Sequence, residues 1–407
     1  MTKLKEKISR NALLYLIAII FLYISSGAFG MLQGIYIKEL NIGESFLGLI
    51  ISLRTISIAA CSIPCAMFVN KFGKKKGIFI SMISMPLLMI LQGYFYNKWI
   101  ILILAILQGG SNALLLVSEG PFFMENSTSD NRLTIFSLSF ADNVFSSMIG
   151  YFVFGNISER LEITYSIVKA LRYSIILAGI LGMFSCIFIL MIKEKRNENT
   201  NISRLFYKDM FTIIKQKNSR NFLIYNSIIG FGAGLVVPYF NIYLKYKLHI
   251  GTELIGLIMS LAQGAMGIGG LITPFLATKY GRVNTIIFCQ VVSIPFLMLI
   301  ALPPSVVVVS AALFIRNALM NMAGPVVNNM SMELIEANQR SIFAGINSIA
   351  GNLSRGLSAV VAGFIMNNFA NGYEIPYFIT ALLYICATIF FYKSFNLFNN
   401  STSLEMN

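Results

Sequence analysis

Long apolar runs, separated by short polar breaks, follow one another from Asn11 to Lys393. A helix needs roughly 20 mostly apolar residues to cross a bilayer. Twelve runs meet this condition, and the pattern therefore predicts an all-α integral membrane protein with twelve transmembrane helices. The predicted spans are residues 11–37, 46–69, 77–95, 99–123, 134–157, 173–192, 221–244, 252–277, 283–302, 305–329, 342–367 and 375–392.

The second half of the chain repeats the first at a constant offset of 208 residues. NIGESFLGLIISLR at 41–54 returns as HIGTELIGLIMSLA at 249–262, and VNKFGKK at 69–75 returns as ATKYGRV at 277–283. Chance similarity between apolar helices does not explain an offset that persists through the loops. The repeat predicts two pseudo-symmetric bundles of six helices each.

The predicted bundles cover residues 1–192 and 221–407, joined by a polar linker at 193–220. Within the linker, SRLFYKDMFTII places apolar residues at helical spacing with basic residues between them. An interfacial helix and a flexible linker both fit this segment.

Composition and charge agree with a membrane protein. Only 12% of the 407 residues are charged and 56% are hydrophobic, whereas about 25% are charged in soluble domains. With the N-terminus inside, 21 of the 31 Lys and Arg residues fall on the cytoplasmic side. This asymmetry predicts a multi-pass protein with both termini cytoplasmic. Anionic membrane lipids account for the net charge of +14, so no nucleic-acid partner is predicted.

The loop after the second span carries a motif, VNKFGKKKG at 69–77. Together with twelve spans in two parallel repeats, it resembles the signature between spans 2 and 3 of the major facilitator superfamily. Ala66 and Asn70 depart from the glycine and aspartate of that signature. The resemblance implies a cytoplasmic latch formed by Asn70, Lys71, Gly73 and Lys74 in the first repeat and by Lys279, Gly281 and Arg282 in the second.

The resemblance also implies a secondary active transporter in the plasma membrane, acting as a monomer by alternating access on a small molecule. In this family spans 1, 2, 4, 5, 7, 8, 10 and 11 line a central cavity. All five ionisable residues within the predicted spans lie on such helices: Arg54, Glu119, Asp142, Arg316 and Arg355. A charge within a membrane persists only where it is paired or hydrated, so each is a candidate pathway residue.

Roles follow from the chemistry of these side chains. A guanidinium presents a fixed fork of donors suited to carboxylate or phosphate, and a buried carboxyl group can exchange a proton. The predicted proton-coupling residues are Asp142 and Glu119. The predicted substrate-binding residues are Arg316, Arg355, Arg54, Asn112, Asn143, Gln263 and Asn321.

Alternatives to these roles remain open. Asp142 and Arg316 could form an internal ion pair, and Glu119 could serve a gate or the surface instead of the substrate. The second repeat has Ala262 where the first has Arg54, so the helix does not need this charge. Arg54 is then either a local functional addition or half of a salt bridge.

No chemistry beyond transport is predicted. The only histidine is His249, in a predicted loop, and neither a metalloprotease HExxH nor an ATP-binding Walker motif occurs. We therefore predict no enzymatic activity, catalytic residue, metal or cofactor, and protons as the coupling ion. Family frequency favours efflux. Uptake or exchange of an organic anion or peptide-like solute and a transport-inactive sensor are the alternatives.

Overall fold

A computed structural model describes residues 8–128, 131–193, 212–302, 305–333 and 340–396. Within these ranges the chain forms twelve long helices, one for each predicted span. They are α1 Arg10–Glu39, α2 Glu44–Phe72, α3 Lys74–Tyr94, α4 Lys98–Glu125, α5 Arg132–Glu162, α6 Ile167–Met183 with Ser185–Leu190, α7 Lys217–Val236, α8 Thr252–Tyr280, α9 Arg282–Ala301, α10 Val306–Glu333, α11 Arg340–Asn368 and α12 Ile375–Phe395.

Two helices depart from a regular α-helix. The two parts of α6 are separated by Phe184. Beyond its regular part, α7 continues as a 3₁₀ turn at Val237–Tyr239, a short α turn and a π turn at Tyr243–Lys247. Pro238 lies in the 3₁₀ turn, where its missing N–H interrupts the α-helical hydrogen bonds.

The ends of several helices follow from local chemistry. The Ser9 side chain accepts a hydrogen bond from the Ala12 N–H at the start of α1, and the Asn97 side chain caps α4 in the same way. Gly73, between α2 and α3, has a φ of 98°, and Gly281, between α8 and α9, has a φ of 83°. Both values favour glycine because it lacks a Cβ.

The sequence repeat is also a structural repeat. The helices α2 and α8 begin and end at residues 208 positions apart, and so do α4 and α10. Asn41 and His249 adopt left-handed backbone with φ of 58° and 53°, and they are separated by the same offset. The two copies therefore share their turns as well as their helices.

Eleven helices within the described residues are long and apolar enough to cross a membrane. The helix α5 is not among them. It carries Ser139, Asp142, Asn143, Ser146 and Ser147 along its length. Large apolar side chains such as Phe275 (67% exposed) and Leu382 (62% exposed) lie on the outside of helices, as a lipid environment allows.

The chain divides into two compact units. The first comprises Met1–Asn201 with Asn241–Ser260, and the second comprises Ile202–Phe240 with Leu261–Asn407. The boundaries at 192 and 221 were derived from the repeat and stay a prediction. Most of the linker segment SRLFYKDMFTII lies outside the described residues.

Close helix packing positions the polar residues of the first unit. A Cβ added to Gly109 of α4 would overlap the carbonyl oxygen of Arg54 on α2, and one added to Gly150 of α5 would overlap that of Ile24 on α1. Glycines at these crossings let the helix backbones approach each other closely. In the second unit the aromatic side chains of Phe222, Tyr225, Phe343, Phe391 and Phe395 form a buried cluster.

Candidate functional site

Arg54 lies within α2, roughly 15 Å along the helix from its first residue at 1.5 Å per residue. Its side chain is partly exposed, and its Nη1 donates a hydrogen bond of 2.8 Å to Gln33 Oε1 on α1. Among the described residues no carboxylate lies within ion-pair distance of this guanidinium. Arg54 is therefore not half of a salt bridge in the described part of the chain.

A chain of three buried glutamines continues from Arg54. Gln33 Nε2 donates to Gln92 Oε1 on α3 at 2.8 Å, and Gln92 Nε2 donates to Gln108 Oε1 on α4 at 3.0 Å. The three residues are 4%, 2% and 4% exposed in this order. Four helices of the first unit thus meet in one hydrogen-bonded network that ends at a cation.

Glu119, near the end of α4, accepts a hydrogen bond of 2.7 Å from the Ser139 hydroxyl on α5. The fully buried Tyr15 of α1 lies beside the same carboxylate. Glu119 is itself partly exposed. The Ser139 hydroxyl therefore links α5 to α4 at this carboxylate, and α1 contributes Tyr15 beside it.

Asp142 lies within α5 and is partly exposed, as are Asn143 beside it and Asn112 on α4. The hydroxyl of Tyr23 contacts the Asn143 side chain and lies within electrostatic range of both Glu119 and Asp142. The two predicted proton-coupling carboxylates therefore share Tyr23 as a neighbour. Within the described residues neither has a Lys or Arg at ion-pair distance.

Arg316, on α10, is only 3% exposed. Its Nη1 donates to Asn317 Oδ1 at 3.2 Å, and its Nη2 donates to the Tyr384 hydroxyl on α12 at 3.3 Å. The guanidinium carbon lies 5.3 Å from the centre of the Phe240 ring, an arrangement that stabilises a cation. The buried Nε has no hydrogen-bond partner among the described residues. Arg316 is thus enclosed by neutral and aromatic groups of the second unit.

The other predicted substrate residues of the second unit are more accessible. Arg355 on α11 and Asn321 on α10 are exposed, and Gln263 on α8 is partly exposed. Asn321 Nδ2 donates to the carbonyl oxygen of Asn317 at 2.8 Å. The proposed pairing of Asp142 with Arg316 joins residues of different units and stays a hypothesis.

The offset of 208 residues pairs each arginine with an equivalent position in the other repeat. Arg54 corresponds to the buried Ala262, whereas Arg316 corresponds to Gln108, the last member of the glutamine chain. At these two pairs of positions each repeat therefore has one arginine, on its second helix in the first copy and on its fourth helix in the second.

The predicted latch residues lie at the turns between α2 and α3 and between α8 and α9. Lys74 forms an ion pair with Glu125 at the end of α4, and Lys75 Nζ donates to the Leu190 carbonyl oxygen at 3.2 Å. Asn70, Lys71 and Lys279 are exposed, and Arg282 is partly exposed. The structure gives both turns the same glycine geometry, at Gly73 and Gly281.

Two residues of the Arg54 network were missed by sequence reasoning. Gln33 and Gln92 are single amides in otherwise apolar stretches, AFGMLQGIYI and MILQGYF. A lone glutamine in a membrane helix was the available signal, because a buried amide needs hydrogen-bond partners. Tyr23 and Tyr384 were missed as well, since tyrosines are frequent in this chain and do not stand out.

The family model described as Major Facilitator Superfamily matches residues 15–228 and 222–397, nearly the whole chain. This chain belongs to the major facilitator superfamily. A comparison with curated protein sequences finds no significant match.

Solved structures of the superfamily share the fold. The nucleoside transporter NupG, as its D323A mutant, is 14% identical with a TM-score of 0.81, covering 94% of this chain and 99% of that one. A bacterial homologue of the human lysosomal transporter Spinster is 10% identical with a TM-score of 0.77, over 94% and 96% of the chains. A D-xylose–proton symporter is 13% identical with a TM-score of 0.74, over 94% and 97%.

These matches confirm the predicted family and the all-α, twelve-helix membrane fold. The matching family and structures are transporters, so the prediction that the chain is not an enzyme is also confirmed. The chain is a multi-pass membrane protein of the superfamily.

Proposed function

We propose that this protein is a secondary active transporter that moves a small organic solute across the plasma membrane by alternating access, coupled to protons. The observation that carries the proposal is the pair of carboxylates in the first unit, Glu119 and Asp142. Both are partly exposed within a membrane protein, and both have hydroxyl or amide neighbours instead of a cation in the described chain.

The absence of a fixed cationic partner suits a coupling residue. A carboxyl group exchanges its proton when its surroundings alternate between wet and dry or when a charge approaches it. We assign Asp142 as the coupling residue. Glu119, which accepts a hydrogen bond from the Ser139 hydroxyl, is the second proton-coupling residue. The structural similarity to a D-xylose–proton symporter lends support by analogy.

Transport in proteoliposomes tests the proposal. Purified protein would be reconstituted and assayed with labelled D-xylose, uridine, organic anions, a dipeptide and a lipophilic cation. We expect counterflow of at least one solute and accumulation driven by a proton gradient. The direction of that gradient distinguishes efflux, which family frequency favours, from uptake. Ligand binding without any counterflow would instead support the transport-inactive sensor.

Asp142→Asn is the decisive variant. We expect it to lower gradient-driven accumulation at least about tenfold. Counterflow of the same solute should continue, because exchange needs no net proton movement. Glu162→Gln, near the end of the same helix, is the matched control and should leave both assays unchanged. Equal loss of both assays in Asp142→Asn would refute a coupling role.

Uptake or exchange of an organic anion is the second candidate function. The observation that favours it is Arg54, a partly exposed arginine with no described carboxylate at ion-pair distance. The other predicted substrate residues (Arg316, Arg355, Asn112, Asn143, Gln263 and Asn321) and the latch turns retain their proposed roles. The charge distribution supports cytoplasmic termini, contact with anionic lipids and, by family analogy, a monomer.

A further inference from the structure

The glutamine chain has a direction that Arg54 sets. A guanidinium can only donate hydrogen bonds, so the amide of Gln33 must present its oxygen to Arg54 and its NH₂ to Gln92. The same constraint passes to Gln92, whose NH₂ then faces Gln108. Every amide oxygen in the chain therefore points back toward the cation, and the network holds the guanidinium in one orientation.

The chain stabilises the cation without neutralising it. A glutamate at position 33 would be nearly the same size and would form an ion pair, yet this position and the two beyond it carry neutral amides. The described contacts use only Nη1 of the guanidinium. Its other N–H groups remain available, on a side chain that is partly exposed.

The exposed part of Arg54 faces water in preference to lipid. Roughly 15 Å along a membrane helix, an uncompensated charge exposed to hydrocarbon would be very costly. Its partner Gln33 belongs to α1, and its backbone packs against Gly109 of α4. The side chain is therefore anchored to the helices of its own unit, and by this cost argument its exposed part contacts water.

We propose that Arg54 binds the carboxylate or phosphate group of an anionic solute, and that Gln33, Gln92 and Gln108 are positioning residues that orient this cation and keep its charge available. The inference rests on the proposed transport function and adds the class of substrate. A planar fork of N–H donors matches the oxygens of either anionic group.

Matched pairs of probes test the charge preference. Thermal stabilisation and direct binding would compare D-xylonate with D-xylose, uridine monophosphate with uridine, and benzoate with benzyl alcohol. We expect at least one anionic member to bind the wild type about tenfold or more tightly than its neutral counterpart. Arg54→Gln should remove this preference, and Arg54→Lys should restore part of it. If no anion is preferred to its neutral counterpart, the assignment is wrong.

Two further variants test the glutamine chain. Gln33→Glu should cancel the preference, because the new carboxylate pairs with Arg54. Gln92→Leu removes the acceptor of the Gln33 NH₂, so Gln33 no longer holds the guanidinium in one orientation, and anion affinity should fall about tenfold. Affinity for a neutral solute that binds should change little in either variant. An equal loss for neutral and anionic probes would indicate a purely structural role and overturn the inference.

Two control variants match these changes. Gln290→Leu removes a buried glutamine of α9, in the second unit, that forms hydrogen bonds with Tyr225 and Thr388. Thr55→Val alters the residue next to Arg54. The Thr55 hydroxyl donates a hydrogen bond to the Ile51 carbonyl oxygen of its own helix. Both should keep the anion preference. Its loss in either control would show that the effect is not specific to the Arg54 network.

Counterflow separates the failure of this inference from the failure of the transport proposal. Anions that bind at Arg54 but do not exchange would refute transport and leave the binding site standing. Neutral solutes that exchange while anions neither bind preferentially nor exchange would refute the site and leave transport standing.

Discussion

Arg54 and Arg316 are the same residue type in two different environments. Arg54 is partly exposed and held by an amide, whereas Arg316 is 3% exposed and enclosed by Asn317, Tyr384 and the ring of Phe240. A cation that contacts a solute needs free donors at an accessible surface. On this criterion Arg54 is a better candidate than Arg316 for direct contact with a solute.

Replacing Arg316 with methionine measures what the enclosed charge contributes to stability. Removing a buried charge that has no described carboxylate partner leaves no opposite charge behind, so we expect Arg316→Met to change the free energy of unfolding by less than about 2 kcal/mol. Tyr384→Phe removes the hydroxyl that accepts a hydrogen bond from Arg316 but keeps the cation buried. We expect it to destabilise the protein by about 1–3 kcal/mol. Thermal unfolding in detergent measures both, and a larger loss for the methionine variant would contradict the expectation.

At the scale of helices, the apolar pattern predicted each of the twelve long helices of the described residues, because a bilayer requires a similar length of each. The repeat also predicted that the α2–α3 and α8–α9 turns would match. The 3₁₀ and π turns at the end of α7 were not predicted, since they depend on tertiary contacts as well as on Pro238.

The Arg54 network could be predicted only in part. Arg54 is a charge within an apolar run, so the sequence alone identified it as a candidate substrate-binding residue. Its partners lie on three other helices, and their meeting depends on how each helix is rotated about its axis. No local pattern encodes that rotation. The same limit applies to Tyr23 beside Asp142 and to Tyr384 beside Arg316.

The close packing of α2 against α4 supports the Arg54 network, and replacing Gly109 tests this packing. A Cβ at this position overlaps the Arg54 carbonyl oxygen, so we expect Gly109→Ala to destabilise the protein by about 1–3 kcal/mol through overpacking. Gly120 on the same helix has no atom within 4 Å of an added Cβ. Gly120→Ala is therefore the control and should be neutral or stabilise by up to about 1 kcal/mol. Equal thermal stability of the two variants would disprove the packing argument.

At the scale of the whole molecule, the segment Asn241–Ser260 belongs to the second repeat by sequence but packs within the first unit. The Tyr246 hydroxyl donates to Glu39 at 2.7 Å, and the Asn241 amide donates to the Met31 carbonyl oxygen. Glu159 of α5 accepts from the Thr252 N–H at 2.6 Å and from the Thr252 hydroxyl at 2.8 Å. The carboxylate thereby caps the start of α8, next to Gly251.

The capping contact at Glu159 should depend on pH. Glu159 lies beyond the predicted span 134–157. Burial alone raises the pKa of its carboxyl, but the hydrogen bonds from Thr252 and Glu253, with the charge of Lys245, hold that pKa below its ordinary value. The stabilisation is then fully present above the ordinary value of about 4.3 and is lost as pH falls through the lowered pKa.

Comparing Glu159→Gln with wild type across pH measures this dependence. We expect the variant to be less stable at neutral pH, by on the order of 1 kcal/mol given the exposure of the carboxylate. The difference should shrink as pH falls below about 4. Glu162→Gln, less than one turn away in α5, is the control and should show no such trend. A difference between Glu159→Gln and wild type that does not change with pH would rule out the carboxylate as its source.

The two repeats have different residues at equivalent positions, with Gln108 in the first where the second has Arg316 and Arg54 in the first where the second has Ala262. At two pairs of equivalent positions, one copy has a guanidinium where the other has a methyl group or an amide, yet the turns at Gly73 and Gly281 have the same left-handed backbone. The repeated frame therefore tolerates a change of charge on its helices without a change of backbone.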